Sequence, residues 1–359
     1  MIRLSKRDDL SKQKIMAIRL SSVVFGLIVM SFFILSLGKN PIEVYHAMLD
    51  GCFGSAYRIK ETIRLALPLS ITALGLIIAF KMKFWNIGAE GQILMGALGA
   101  SYVALNFSYL PKAIVILLMI IAGSTLGGLW SAVPAYFKTK YETNETLFTL
   151  MLNYIALKIV VYLQYGPWKD PKAMGFPKIA NFAESAILPK IGGLHIGWIF
   201  LIILMICIYI MMHHGKFGYE IAVIGESKNT ARYAGIHVEK VTIKAIFLSG
   251  AIAGLVGMMQ ASGVSETLNH EIAGGMGYTG IIIAWLANMK VIFIPVVGFL
   301  FAILTQGASY IQTAFQIPKS AAEIIQGIIL LFALGGEFFI QYQIHWITEK
   351  RYIKEETHG

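Results

Sequence analysis

Ionisable and amide side chains occur inside apolar stretches of this sequence, where such groups are costly to bury. The most concentrated set lies in residues 84–92 (FWNIGAEGQ), which place Asn86, Glu90 and Gln92 near the start of an apolar run. Asn153 and Tyr154 form a second set in the middle of another run. Amides, a carboxylate and a phenol supply hydrogen-bond donors and acceptors but no activated nucleophile. This chemistry suits a path for a neutral polar solute, or hydrogen bonds between helices.

Two interpretations of these groups stay open at the level of sequence. Glu90 in the first turn of a helix would complement the helix dipole, whereas the neighbouring glycines would allow a broken helix that contributes to a solute path. Asn153 would either bond to another helix or line that path. Lys158, one turn further on, would pair with another group or extend toward the membrane surface. The predicted substrate-path residues are Asn86, Glu90, Gln92, Asn153 and Tyr154.

The sequence contains none of the common motifs for catalysis or nucleotide binding. The patterns GxxxxGK[ST], HExxH and GxSxG are absent. The one GxGxxG pattern, Gly275, Gly277 and Gly280, follows a loop rather than a strand, so we expect a turn or close helix packing there. The pair His213–His214 has no carboxylate or cysteine nearby and is expected to face solvent. We therefore predict no catalytic residue, no metal site and no cofactor.

Composition identifies the elements that must position these groups. The chain has 359 residues, of which 57% are hydrophobic and 14% charged, against about 25% charged in soluble domains. This balance excludes an ordinary soluble enzyme and a disordered chain, and it predicts a membrane protein. Cys52 and Cys207 lie far apart in sequence, which argues against a disulfide framework.

Ten uncharged or nearly uncharged runs are each long enough, or nearly so, to cross a bilayer as a helix. Backbone groups in lipid must pair internally, so the predicted class is an all-α integral membrane protein with about ten transmembrane helices. A basic N-terminal segment precedes the first run without a small-residue cleavage site, which predicts a retained signal anchor. The runs are Leu20–Leu37, Leu65–Phe80, Gly91–Leu110, Ala113–Phe137, Thr146–Trp168, Ile196–Met212, Ala245–Ser265, Ile272–Met289, Val291–Pro318 and Ile324–Ile344.

The distribution of lysine and arginine predicts that both termini are cytoplasmic (N-in/C-in). Of the 30 such residues, 19 fall in segments that this orientation places inside and 9 in segments outside. The net charge of +10 therefore reflects topology and requires no nucleic-acid partner. We predict one transmembrane domain over residues 1–359, with a polar outside loop at 38–60. Its other segments outside the membrane are a cytoplasmic N-terminal segment (1–19), an irregular extracytoplasmic loop (166–195), a cytoplasmic coupling loop (213–244) and a cytoplasmic tail (341–359).

Glycines at four-residue spacing point to close helix packing. The pairs Gly123–Gly127 and Gly250–Gly254 lie in the fourth and seventh runs. Such pairs allow membrane helices to approach each other closely.

Four ordered motifs resemble bacterial ABC-transporter permeases of the branched-chain amino acid/simple-sugar type. Residues 86–92 (NIGAEGQ) resemble the NIGxEGQ signature of that family, and residues 151–156 (MLNYIA) resemble its MLNYIA segment. Residues 166–171 (GPWKDP) and 175–177 (GFP) look like the outside loop of its nucleoside-uptake branch. Residues 225–236 (GESKNTARYAGI) resemble its GENPxAARYAGI segment, but lack the proline that would start a helix. Ser227 or Asn229 could cap that helix instead.

The resemblance, which covers about residues 60–340, implies the fold of an ABC importer permease in the bacterial cytoplasmic (inner) membrane. It implies ATP-binding cassette ATPase subunits inside, usually a related second permease subunit, and an extracytoplasmic substrate-binding lipoprotein. It implies purine or pyrimidine nucleosides as cargo, with simple sugars such as ribose as the nearest alternative. ATP hydrolysis would take place on the partner chains, and this chain would not be an enzyme.

The resemblance also implies that the cytoplasmic loop contacts the ATPase. A permease without a phosphate loop of its own must receive mechanical work through a short rigid element. Apolar residues 221–224, a turn at Gly225 and an amphipathic piece ending at Gly235 suit this role. From spacing alone, the alternative is an ordinary connecting loop whose charges face water. The predicted coupling residues are Gly225, Glu226, Ala231, Arg232, Tyr233, Ala234 and Gly235.

Two other classes of function have weaker support in the sequence. A membrane-embedded enzyme would need paired acids or a metal cluster, and the nearest candidate is the thin set His270, Glu271 and Glu266. An ion-coupled secondary transporter would need several intramembrane carboxylates, but Glu90, Glu323 and Glu337 all lie near span ends.

Overall fold

The computed structural model describes residues 2–7 and 10–346. Those residues form thirteen α-helices and two short antiparallel strand pairs. Eight of the helices in this part of the chain are long and apolar enough to cross a membrane. The predicted all-α membrane class is therefore confirmed, while the count of ten spans and the N-in/C-in orientation stay predictions.

The helices and strands have the following bounds. The helices are α1 (Lys12–Ser36), α2 (Pro41–Phe53), α3 (Ala56–Lys81), α4 (Ala89–Asn106), α5 (Lys112–Tyr141), α6 (Glu145–Tyr165), α7 (Gly197–His214), α8 (Lys216–Glu226), α9 (Lys228–Tyr233), α10 (Val238–Gln260), α11 (Met276–Leu286), α12 (Ile294–Ala314) and α13 (Lys319–Gln341). The strands are β1 (Ile2–Lys6), β2 (Lys190–Ile191), β3 (Leu194–His195) and β4 (Tyr342–Trp346). A π-helical turn, Ala261–Ser265, continues α10.

Several predicted boundaries differ from the structure. The predicted run Ile272–Met289 contains only α11, whose 11 residues extend about 16 Å, roughly half of a bilayer core. The run Gly91–Leu110 corresponds to α4. This helix is not among the eight candidate spans, because its polar first turn lowers its mean hydropathy. The predicted outside loop 38–60 is mostly helical, since it holds α2 and the start of α3. The predicted loop 213–244 is also mostly helical, since it holds α8, α9 and the start of α10.

The structure divides into two compact units, and the first comprises Met1–Arg58 and Ile303–Gly359. In this unit α1 packs along α13, and β1 pairs with β4. Glu337, which interrupts the last predicted span, forms an ion pair with Arg19 at 2.7 Å. Much of the predicted tail 341–359 lies outside the described residues, as do residues 1, 8 and 9 of the predicted segment 1–19. The apolar core contains Met30, Ile34, Val44, Met48, Ile311, Ile325 and Ile329.

The second unit, Ile59–Ala302, is built around close contacts among α4, α5 and α10. A Cβ atom at Gly96 would overlap the backbone of Gly254. A Cβ at Gly127 would lie 2.6 Å from the carbonyl oxygen of Gly250 and from the Cα of Gly254. The predicted close packing at the glycine pairs is thus confirmed, and glycine is required because backbone meets backbone there.

The loop 166–195, predicted to be extracytoplasmic, is more ordered than its proline and glycine content predicts. It contains a short 3-10 turn, Glu184–Ala186, and the β2–β3 hairpin. The loop is bonded to the π-helical end of α10, because Ser262 Oγ donates to the carbonyl of Ala186 and the amide of Phe182 donates to the carbonyl of Glu266 (2.8 Å). Hydrogen bonds to the end of a spanning helix therefore hold this loop in one conformation.

His195 is the titratable group at the centre of that contact. Its side chain is 2% exposed, and Nδ1 accepts a hydrogen bond from the amide of Gly197 (3.2 Å). Nε2 has no hydrogen-bond partner among the described residues. Burial lowers the pKa of His195 to about 4, and the charges of Arg64 and Lys190 act in the same direction. The imidazole is therefore neutral at physiological pH.

Candidate functional site

The first candidate site surrounds the start of α4. Helix α3 ends at Lys81, and Lys83 adopts a positive φ of 55° before an extended stretch leads to Gly88. The side-chain oxygen of Asn86 accepts a hydrogen bond from the amide of Gly88 at 3.0 Å. Glu90 consequently lies in the first turn of α4, where its charge complements the helix dipole.

Asn86 and Gln92 form a closed amide pair. Gln92 Nε2 donates to Asn86 Oδ1 at 2.9 Å, and Asn86 Nδ2 donates to Gln92 Oε1 at 3.2 Å. Asn86 Nδ2 is also 3.5 Å from Ser249 Oγ on α10. The two amides are 0% and 1% exposed. In this conformation they hold the α3–α4 connection against α10, and their place on a solute path stays a prediction.

Asn153 connects α6 to the same region. Its Oδ1 accepts a hydrogen bond from the amide of Gly91 at 2.8 Å, and its Nδ2 donates to the carbonyl of Ile87 at 2.9 Å. The same Nδ2 is 3.3 Å from the hydroxyl of Tyr278 on α11. The side chain thereby satisfies backbone groups at the start of α4 that have no partner within the helix.

Glu90 binds the N-terminal end of α11. Its two carboxylate oxygens accept hydrogen bonds from the amides of Gly275 and Gly277, each at 2.8 Å. Gly275 has a positive φ of 78°, and a Cβ at Gly277 would overlap the backbone of Glu90. The GxGxxG pattern therefore marks a turn and a close helix approach, as predicted. The arrangement is the usual one for an anion at a helix N-terminus, with a side chain as the anion.

Tyr154 does not belong to this cluster. It is 56% exposed, whereas the neighbouring Asn153 is 4% exposed and lies on the buried face of α6. The cluster instead includes Ser249 and Tyr278, which sequence reasoning missed because they lie in distant helices. Among the described residues no group of three or more His, Cys, Asp or Glu side chains could hold a metal ion.

The second candidate site is the surface of α8 and α9. The predicted turn at Gly225 is wrong, because Gly225 lies inside α8. Glycine is needed there because a Cβ would overlap the carbonyl of Lys81. Ser227 caps α9 by accepting a hydrogen bond from the amide of Thr230 at 3.2 Å, so Ser227 rather than Asn229 replaces the missing proline. Gly235 follows α9 with a φ of +75°, in agreement with the predicted helix stop.

Most of the predicted coupling residues face outward. Ala231 is fully buried and anchors α9, whereas Tyr233 is 93% exposed. Arg232 is exposed and has no ion pair with any residue that the structure describes. The remaining exposed members of this set are Glu226, Ala234 and Gly235.

A cavity of about 350 Å³ adjoins this surface. Its walls include Gly225, Glu226 and the stacked rings of Trp85 and Trp285, whose centroids are 5.5 Å apart. Trp85 directly precedes Asn86, so the two candidate sites are neighbours along the α3–α4 connection.

Comparison with known proteins identifies the family. Residues 58–334 match the sequence model of a family described as the permease component of the branched-chain amino acid transport system. The chain belongs to this family. Similar proteins in this family are permeases of ABC transporters. This chain is therefore an ABC importer permease and a multi-pass membrane protein, and ATP hydrolysis takes place on a separate subunit.

Three similar proteins cover nearly the whole permease. The glucose ABC transporter permease protein TsgB13 of Haloferax volcanii is 30% identical over 92% of this chain and 90% of its own length. The guanosine ABC transporter permease protein NupP of Bacillus subtilis is 29% identical over 92% and 95%. The nucleoside ABC transporter permease protein NupB of Lactococcus lactis is 28% identical over 93% and 94%. These similarities favour a transport permease over the membrane-enzyme alternative.

Proposed function

We propose that this permease imports nucleosides across the cytoplasmic membrane of a bacterium. The observation that carries the proposal is the alignment of guanosine and nucleoside permeases over more than nine-tenths of this chain. The loop motif GPWKDP at residues 166–171 adds support, because it resembles the nucleoside-uptake branch. A simple sugar is the second candidate cargo, favoured by the glucose permease of 30% identity.

The proposed importer contains further subunits. A related second permease would complete the solute path, ATPase subunits would bind on the cytoplasmic side, and a substrate-binding lipoprotein would deliver cargo from outside. Exposed Arg232 and Tyr233 on α9 suit the ATPase contact, since arginine and tyrosine are common interface anchors.

A chain of direct contacts supports the coupling role. Gly225 packs against the carbonyl of Lys81 at the end of α3. The α3–α4 connection then leads to Asn86 and to Glu90, which binds α11. A movement of α8 and α9 would therefore reach the start of α4 through the packed contact at Lys81 and the short α3–α4 connection. Packed side chains and hydrogen bonds of this kind can carry energetic coupling between distant sites.

An uptake assay tests the proposal. Radiolabelled guanosine, adenosine, uridine, ribose and glucose are supplied separately to cells with and without this gene, before and after ATP depletion. We expect gene-dependent nucleoside uptake that stops when ATP is depleted. Uptake of the sugars alone would transfer the assignment to the second cargo. Uptake that survives ATP depletion but stops when the ion gradient is collapsed would contradict the proposal.

A further inference from the structure

One face of α6 is exposed along its whole length and is unusually polar for a lipid-facing surface. Most of the exposed residues recur three or four positions apart, and all lie within about 100° of one another around the helix axis. The opposite side of the helix, which includes Asn153, Ala156 and Val160, is buried. The exposed face consists of Leu147, Met151, Tyr154, Ile155, Lys158, Tyr162 and Tyr165.

Lys158 is the residue on this face whose charge is unfavourable in contact with lipid. It lies within a spanning helix, about 10 Å before the C-terminal end of α6 and about 20 Å after the start. Within the described chain it has neither a hydrogen bond nor an ion pair. Side chains on a helix lean toward its N-terminus, so the Lys158 ammonium leans away from the nearer end and does not easily reach headgroups there. A charge at such depth normally faces a water-filled space or another protein group.

Helix α7 has an exposed surface of the kind expected to face lipid. Only 11% of its spanning window is buried, and its exposed side chains include Ile202, Ile203, Ile206 and Ile210. That surface carries no charged residue between Gly197 and Met212. Both helices are mostly exposed, with 22% of the spanning window buried in α6 and 11% in α7. Only the exposed face of α6 carries a charged residue within its span, which argues for different surroundings.

We propose that the exposed face of α6 lines the water-filled path and contacts the cargo, with Lys158 as a specificity-determining residue. This inference rests on the proposed nucleoside transport and adds a binding site to it. Tyr154 and Tyr162 lie about 6 Å along the helix on either side of Lys158, so their rings can stack on a flat base. The three ammonium protons of Lys158 can bond to ring nitrogens, carbonyl oxygens or ribose hydroxyls of a neutral nucleoside.

This assignment places the path on the outer surface of the chain. Asn86, Gln92 and Asn153 then support the helices that flank the path, and they do not touch the cargo. Among the five path residues predicted from sequence, Tyr154 is the one that lies on the proposed face. The facing wall would be supplied by the second permease subunit of the proposed importer.

Cysteine labelling in the assembled transporter tests whether the face is wet. In a background with Cys52→Ala and Cys207→Ala, a charged thiosulfonate reagent is applied to membrane vesicles open to both sides. The substitutions Lys158→Cys and Tyr154→Cys are compared with Ile203→Cys on α7 as the lipid-facing control. The reagent needs water and a thiolate, so we expect at least tenfold faster labelling at the two α6 positions. Labelling at both α6 positions as slow as at the control would overturn the inference.

Transport kinetics test the contact with cargo. Lys158→Met keeps the length of the side chain without its charge, and Lys158→Arg keeps the charge. We expect Lys158→Met to raise the KM for guanosine at least tenfold and Lys158→Arg to change it less, with Ile203→Met unchanged. An unchanged KM in Lys158→Met would remove this residue from cargo recognition.

The two experiments separate this inference from the proposed function. Fast labelling of the α6 positions in cells that import only sugars would reject nucleosides as cargo and keep the path on α6. Nucleoside uptake combined with slow labelling would keep the cargo and reject the path.

Discussion

Replacing Glu90 with glutamine removes the charge that holds the N-terminal end of α11. The carboxylate accepts two backbone hydrogen bonds, from Gly275 and Gly277, both at 2.8 Å. Glutamine retains one acceptor oxygen but presents an NH₂ group to the second amide, so donor faces donor. The lost charge-assisted bond costs about 1.5–3 kcal/mol, and the lost interaction with the helix dipole adds about 0.5–1 kcal/mol. We expect α11 to be held less tightly by about 2–4 kcal/mol in total.

Hydrogen–deuterium exchange of the assembled transporter measures this effect directly. A loss of about 3 kcal/mol corresponds to a change of roughly 100-fold in the opening equilibrium. The amides of Gly275 and Gly277 should therefore exchange about two orders of magnitude faster in Glu90→Gln. Glu323→Gln is the matched control, because Glu323 is 63% exposed and its partner Lys319 is 3.8 Å away. An exposed pair of this kind is worth only about 0–1 kcal/mol.

Transport by a Glu90 variant shows whether this contact matters for function. Glu90→Ala should lower uptake more than it lowers the amount of protein in the membrane, because α11 would lose its attachment to α4 while the spanning helices remain. A parallel fall of uptake and protein amount would make Glu90 a purely structural residue. If the amides of Gly275 and Gly277 exchanged at an unchanged rate in Glu90→Gln, the conclusion that Glu90 holds α11 would be refuted.

Three further predictions follow from other contacts. Gly254→Ala should destabilise the protein by about 1–3 kcal/mol, because its Cβ would overlap the carbonyl of Gly123. Thermal unfolding measures this effect, and the control is Gly327→Ala, whose Cβ would have no atom within 4 Å. Arg232→Glu should abolish ATP-dependent uptake at an unchanged amount of membrane protein; normal uptake by this variant would contradict the docking role of α9. His195 has a folded-state pKa of about 4 against an ordinary 6.5, so the unfolded state binds more protons between these values and stability falls as pH drops from 6.5 to 4. The free energy of unfolding falls by about 3 kcal/mol over this range. In His195→Asn the melting temperature should depend much less on pH between 6.5 and 4.

The hydrophobic runs were sufficient to predict the class of the protein but not all of its elements. Eight long helices follow the predicted runs because the length of an apolar stretch decides whether it can span lipid. The helices α2 and α8 lie in segments that were predicted as loops, because short amphipathic segments carry no comparable signal in hydropathy. The start of α4 and the stop at Gly235 were predictable, since glycine and first-turn acid patterns act locally.

The sequence by itself determined which polar groups lie within or beside the membrane helices, and its motifs indicated the family. Only the tertiary structure decided which of these groups meet. Glu90 and Gly275 are separated by 185 residues. Asn153 and Tyr154 are adjacent in sequence, yet Asn153 is buried and Tyr154 is exposed. Composition and spacing record the chemistry of each segment, whereas the partner of a side chain depends on how distant helices pack. That packing leaves Glu90 bound to α11 and Lys158 on an exposed face.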